Sequence, residues 1–178
     1  MAKKGSLERI SRKIKNCKKC CLYRSANKAV PGEGPFNAKL MLIGVAPGRM
    51  ENLTGRPFVG RAGQFLDHLL TKNKIDRKKI FITSIIKHFP PKNRAPKSNE
   101  IKACLPYTIE QIKAINPKLV VLLGNIAKTA LTKNPVLKGR KVIVTYHPAS
   151  GMRFPKSKAK MVRDFKKLKQ EITKHKIY

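Results

Sequence analysis

Cys17-Lys18-Lys19-Cys20 is a C-x-x-C pair, Cys21 follows it directly, and the fourth cysteine, Cys104, stands far along the chain. In a reducing compartment such thiols point to metal ligation or inert burial before disulfides; a reduced, metal-free set is the plain alternative. A second suggestive group lies in short loops. Gly44-Val45-Ala46-Pro47-Gly48, Lys87-His88-Phe89-Pro90-Pro91, Gly124-Asn125 and Tyr146-His147-Pro148 each close an aliphatic run. Glycine, proline and histidine gathered at the ends of such runs mark a candidate active site.

The elements that must carry these loops are legible from periodicity. Lys39–Val45, Lys79–Ile86, Lys118–Gly124 and Lys141–Tyr146 are rich in aliphatic and β-branched residues. Their near-continuous apolar character predicts parallel strands buried on both faces. Between and after them run helical stripes. Ala62, Phe65, Leu66, Leu69 and Leu70 form one; Ile101, Cys104, Leu105, Thr108, Ile112 and Ile115 form another; Met161, Phe165, Leu168 and Ile172 form the last. Ser98 is expected to cap the second stripe, with Glu100 in its first turn and Pro106 counting against an unkinked helix. Strands alternating with helices predict a three-layer α/β/α fold around a central four-stranded parallel sheet, with right-handed crossovers. The 178 residues are expected to form a single domain, 1–178, with an N-terminal metal-binding segment. In such sheets ligands sit beyond the carboxyl ends of the strands, which is where the loops fall.

Forty-one Lys and Arg against nine Asp and Glu give a formal charge of +32. Self-repulsion of that size calls for a polyanionic partner, and nucleic acid fits because each neutralised phosphate releases counterions. Heat adaptation would explain many lysines but would bring matching glutamates. A membrane surface would require a basic helix with a lipid-facing apolar side. The N-terminus has no apolar core after its charges, and no apolar run approaches the ~20 residues of a span. A soluble cytoplasmic monomer, associated with the nucleoid and without a membrane partner, is expected.

Taken together, the loops are specific. Gly44-Val45-Ala46-Pro47-Gly48 and His147-Pro148-Ala149-Ser150 resemble the two signature motifs of uracil-DNA glycosylases. Gly55-Arg56-Pro57-Phe58-Val59-Gly60-Arg61-Ala62-Gly63 and Pro90-Pro91-Lys92-Asn93-Arg94 are similar to the iron–sulfur family 4 of that superfamily, and the resemblance runs from about Cys17 to Leu168. It implies an enzyme that flips a deaminated base out of DNA and hydrolyses its glycosidic bond, leaving an abasic site. It implies that Gly44, Val45, Ala46, Pro47, Gly48, Phe58 and Ser84 bind the base, with Phe58 stacking on it. His147 would support the departing base as an anion, and Glu51 would position water.

The resemblance also implies a 4Fe-4S cluster held by Cys17, Cys20 and Cys104, with His88 standing at the remaining cysteine position. Histidine replaces cysteine on iron in other centres; the same four residues also make a Cys3His zinc set. Arg61, Arg94, Met152 and Arg153 would contact DNA, Met152 as the apolar wedge. Two positions depart from the family pattern: Val45 stands where a Glu is usual and Ser84 where an Asn reads uracil. A hydroxyl offers less than an amide, so selectivity for uracil or another deaminated base is open. A catalytically silent DNA-binding paralogue and a zinc-bearing nucleic-acid-binding module are the rival readings.

Overall fold

The computed structural model describes residues 2–177; Met1 and Tyr178, the ends of the expected 1–178 range, lie outside the described residues. Along the chain run α1 (Ala2–Lys15), β1 (Leu40–Gly44), α2 (Arg49–Thr54), α3 (Arg61–Lys72), β2 (Phe81–Ser84), α4 (Ser98–Ile115), β3 (Leu119–Leu123), α5 (Asn125–Leu131), β4 (Lys141–Thr145), α6 (Pro148–Arg153) and α7 (Pro155–Lys174). The four strands pair in parallel with one another in the order β2-β1-β3-β4. The expected strands are present with shorter bounds.

Side chains alternate across a strand, so an apolar run feeds two cores at once. Leu40, Leu42, Leu119, Val121 and Leu123 meet Leu66, Leu69 and Leu70 of α3 and Met161, Phe165, Leu168 and Ile172 of α7 on one face. Met41, Ile43, Val120 and Leu122 meet Cys104, Ile112 and Ile115 of α4 and Ala127 and Leu131 of α5 on the other. That is the three-layer arrangement, with the sheet in the middle.

Three local expectations need correction. β4 is not buried on both faces: Lys141 is exposed, Val142, Ile143 and Val144 are half-buried, and only Thr145 is buried. As an edge strand it has one neighbour, β3. Ser98 does not cap α4; Lys97 occupies that position without a side-chain bond, and Glu100 folds back to accept from the Lys97 N–H at 2.7 Å. Pro106 lies inside a continuous α4 with its ring exposed. α1 was not foreseen. Its Ile10 and Ile14 pack with Cys17 and with Tyr107 of α4 in a small third cluster, so two apolar side chains among lysines anchor the segment that bears the C-x-x-C pair.

The two faces depend on close packing of large side chains. Phe165 is 1% exposed in the α3–α7 face. Phe165→Ala should therefore lower the unfolding free energy by about 3–5 kcal/mol, read from denaturant midpoints; a change below about 1 kcal/mol would mean that this face is not close-packed.

Candidate active site

The chain leaves β1 for β2 on one side and later reaches β3 on the other, so the connections beyond β1 and β3 diverge and open a crevice at their carboxyl ends. Gly124, just past β3, has φ +96°, and a Cβ there would lie 3.1 Å from the His147 Cβ and 3.6 Å from Val45 Cγ2. The loops after β1, β3 and β4 therefore meet at one point. Gly44 ends β1 in register with Ser84 of β2. A Cβ on Gly44 would stand 2.6 Å from Phe58 Cζ and 3.2 Å from Ser84 Oγ, so the Phe58 ring lies across the end of β1 beside the Ser84 hydroxyl. The rings of Phe58 and His147 are 5.8 Å apart between centroids and tilted by 31°. Gly44, Val45, Phe58, Ser84 and His147 are thus brought together by the fold.

Phe58 is held in a left-handed conformation, φ +51°, which costs a non-glycine residue energy unless its surroundings impose it. Gly63 in α3 is part of that imposition: a Cβ there would fall 1.9 Å from the Phe58 carbonyl oxygen, so the helix packs directly on the strained residue's backbone. The carboxylate of Glu51, in α2, supplies the rest. One oxygen accepts from the N–H groups of Val59 and Gly60, both at 2.8 Å, and the other from Gly48 N–H at 3.0 Å. Glu51 is 8% exposed. It staples the Gly44–Gly48 loop to the Phe58–Gly60 loop, and three of its four lone-pair positions are taken.

His147 caps α6. Its Nδ1 accepts from the Ala149 N–H at 3.2 Å, which leaves the neutral ring's proton on Nε2, a donor. Burial holds its pKa down at about 4 against a smaller opposing pull from the Glu51 charge. A neutral imidazole donor beside an aromatic face is suited to stabilising negative charge that develops on a flat ring.

Around the crevice, Pro47 is buried and Ala46 and Gly48 are half-buried, while Arg61, Met152 and Arg153 are exposed. Gly151, beside the expected wedge Met152, has no room for a side chain: a Cβ there would meet Met161 Sδ at 2.7 Å and Phe65 Cε1 at 2.8 Å. Arg94 is placed differently from expectation. Its guanidinium forks onto the buried Glu100 carboxylate at 2.9 and 2.6 Å, and holds that carboxyl down at about 2. Its charge is committed to that ion pair.

The candidate metal ligands are mostly enclosed. Cys17 and Cys104 are buried and Cys20 half-buried. The three are close enough for Cys17 and Cys20 to oppose ionisation of Cys104, which burial above all pushes up to about 11. His88 is 5% exposed, lines a cavity with Cys17, and its Nδ1 is buried without a hydrogen-bond partner. Burial lowers its pKa, which keeps the ring neutral as a ligand must be. An orphaned imidazole nitrogen beside soft thiols fits an iron–sulfur or zinc donor set. Among the described residues, though, no three His, Cys, Asp or Glu side chains are grouped to hold one ion. Cys21 stands apart, exposed, its thiol 3.5 Å from Glu100.

One residue escaped the sequence reading altogether. Lys87 is fully buried, and its ammonium donates to Thr83 Oγ1 at 2.8 Å, the Ser84 carbonyl at 2.6 Å and Gln111 Oε1 at 2.9 Å. Burial lowers its pKa to about 7. It ties the end of β2, and with it Ser84, to α4. A lysine among forty-one basic residues carries no signal of its own; the apolar run Ile85-Ile86 before it was the available hint.

Residues 31–172 match the family model of the uracil DNA glycosylase superfamily. The chain is 38% identical to the type-4 uracil-DNA glycosylase of Pyrobaculum aerophilum, over 89% of this chain and 90% of that protein. It is 37% identical to the type-4 uracil-DNA glycosylase of Thermotoga maritima, over 94% of this chain and 95% of that protein. Similarity to a type-5 uracil-DNA glycosylase of Pyrobaculum aerophilum is lower, 31% over 73% of this chain and 71% of that one. With the crevice, its Phe58 ring and its neutral His147 in view, the chain belongs to the uracil-DNA glycosylase superfamily.

Proposed function

We propose that this protein hydrolyses the N-glycosidic bond of uracil in DNA after flipping the nucleotide into the crevice, and so opens base excision repair with an abasic site. The observation that carries the reading is the Phe58–His147 pair at the strand ends, an aromatic ring and a neutral imidazole with a free Nε2 donor, whose ring centroids are 5.8 Å apart. Phe58 stacks on the flipped base, and Ser84 and the Gly44–Gly48 loop border it. The C1′–N bond breaks with its electron pair moving to the base. His147 donates a hydrogen bond to the anion that forms, and water adds to C1′ with loss of a proton. Glu51 braces the two loops and directs the water through its one remaining lone pair. Arg61 and Arg153 neutralise phosphate, and Met152 fills the space that the flipped nucleotide leaves. The protein acts as a single-domain monomer on chromosomal DNA in the cytoplasm.

Cys17, Cys20, Cys104 and His88 would hold a 4Fe-4S cluster in this reading, and the orphaned His88 Nδ1 supports a missing bond there. Bound there, the cluster would cross-link the segment after α1 to α4 and to the loop after β2 and would contribute stability. A second reading, DNA binding without chemistry, rests on Val45, whose methyl faces Gly124 where a carboxylate is expected.

Alkali-labile breaks at uracil in a labelled oligonucleotide test the activity. Intact DNA binding with no product at uracil, hypoxanthine or xanthine would decide for the silent paralogue. His147→Ala and Phe58→Ala should each lower single-turnover cleavage by about 100-fold or more, with nonspecific DNA affinity unchanged.

The pH dependence has a definite sign. His147 is depressed from about 6.5 to about 4, so the unfolded chain takes up a proton before the folded one does. Stability contributed by the neutral ring falls as pH drops from about 6.5 towards 4, while the donor form itself persists to about 4. The acid limb of cleavage attributable to His147 should therefore lie near 4; a limb at 6.5 that vanishes in His147→Ala would contradict this placement.

Glu51→Gln should weaken three backbone bonds at once, lowering stability by about 2 kcal/mol or more and slowing turnover. Wild-type melting and turnover would remove both roles. Anaerobically prepared protein should be brown, with iron and sulfide near four per chain, and Cys104→Ala should lose colour and melt lower. Colourless protein with one zinc would overturn the cluster.

A further inference from the structure

Exposed apolar side chains are distributed unevenly on this surface. Among the described residues, the large hydrophobic ones most open to water are Phe36, Met50, Leu53, Tyr146, Met152 and Phe154. All but Phe36 lie on segments leaving the carboxyl ends of β1 and β4, the strands whose loops build the crevice. Phe154 is the most exposed of them, at 58%.

Its backbone leaves the ring little freedom to withdraw. Phe154 sits between the end of α6 and Pro155 at the start of α7. Its N–H donates to the Ser150 carbonyl at 2.9 Å, and its carbonyl accepts from Lys158 N–H at 3.0 Å. The hydroxyls of Ser150 and Ser157 bond at 3.0 Å across the same corner. Arg153, Lys156 and Lys158 around it are exposed. An aromatic ring on a fixed corner among cations has the chemistry of a base-stacking platform beside neutralised phosphates. The apolar stripe of α7, Met161, Phe165, Leu168 and Ile172, is already buried in the core, so this corner is not the edge of a lipid-binding face.

We propose that Phe154 is a second DNA-contacting element, distinct from Met152, on which an unpaired base near the extruded nucleotide stacks. The reach is suitable. α6 has 6 residues between His147 and Phe154, which sets the two about 10 Å apart at the helical rise, and a duplex strand advances roughly 3.4 Å per nucleotide. The platform thus meets a base within about three nucleotides of the pocket. This rests on DNA being the partner, as proposed above, but not on cleavage.

The test measures binding without turnover. Affinity for a single-stranded oligodeoxynucleotide with all its bases is compared with that for one of equal length made wholly of abasic residues, for wild type, Phe154→Ala and Phe154→Trp. Phe154→Ala should weaken binding of the base-bearing strand by about 5- to 150-fold. The abasic strand, the salt slope and the melting temperature should stay at wild-type values, and Phe154→Trp should restore affinity. Equal losses on both strands would make the residue structural or electrostatic, and no loss on either would assign the ring to another partner; both overturn the proposal. Protein that binds this way but never cleaves uracil would sink the glycosylase reading and leave the platform standing.

Discussion

Three backbone N–H groups, from Gly48, Val59 and Gly60, converge on the Glu51 carboxylate. Two come from the loop that carries Phe58 and one from the loop that closes β1, so a single side chain fixes the distance between the halves of the crevice. Charge-assisted bonds of this kind are roughly twice as strong as neutral ones, and here they act where the backbone is otherwise strained. Phe58 keeps its positive φ because Glu51 pins the two residues after it and Gly63 admits its carbonyl. Release of the brace would let Phe58 relax and its ring leave the end of β1. The position of the aromatic face, its separation from His147 and the access of Ser84 all follow from that one carboxylate.

Carboxylates are scarce in this chain, and the structure uses them internally. Glu33, Asp67, Glu100, Glu110, Asp164 and Glu171 each pair with a basic side chain. Asp76 caps a turn through Lys78 N–H, and Glu51 holds the loops. Nine acids cannot offset forty-one basic residues, so the field of the molecule attracts polyanions from any direction. Placement of the reacting group therefore depends on the uncharged parts of the crevice. His147 stays neutral within this cationic molecule, which lets it meet an anion by hydrogen bonding while the surface handles phosphate.

Strand positions and the loops after them were legible because runs such as Leu40–Ile43 and Leu119–Leu123 have one physical solution, burial on both faces. Phe58 and His147 were legible as parts of ordered Gly–Pro and His–Pro loops. The brace was not. The farther partners of Glu51 begin eight positions along the chain, and a backbone N–H has no sequence signature. Arg94 was expected on phosphate because basic residues read that way, yet it is paired with Glu100; Lys87, which carried no signal, is buried on Ser84. α1 was hidden by its lysines, since Ile10 and Ile14 make too short a stripe to stand out. β4 read as buried because composition does not reveal which strand lies at the edge.

The claim at the centre of this account is that the crevice presents a neutral Nε2–H donor to a leaving base. The ring nitrogens of His147 report this directly in 15N NMR of the labelled protein at pH 6. Nδ1 should show the shift of an unprotonated acceptor and Nε2 that of a protonated donor, unchanged until the pH approaches 4. Two equivalent protonated nitrogens at pH 6, the signature of an imidazolium, would contradict it.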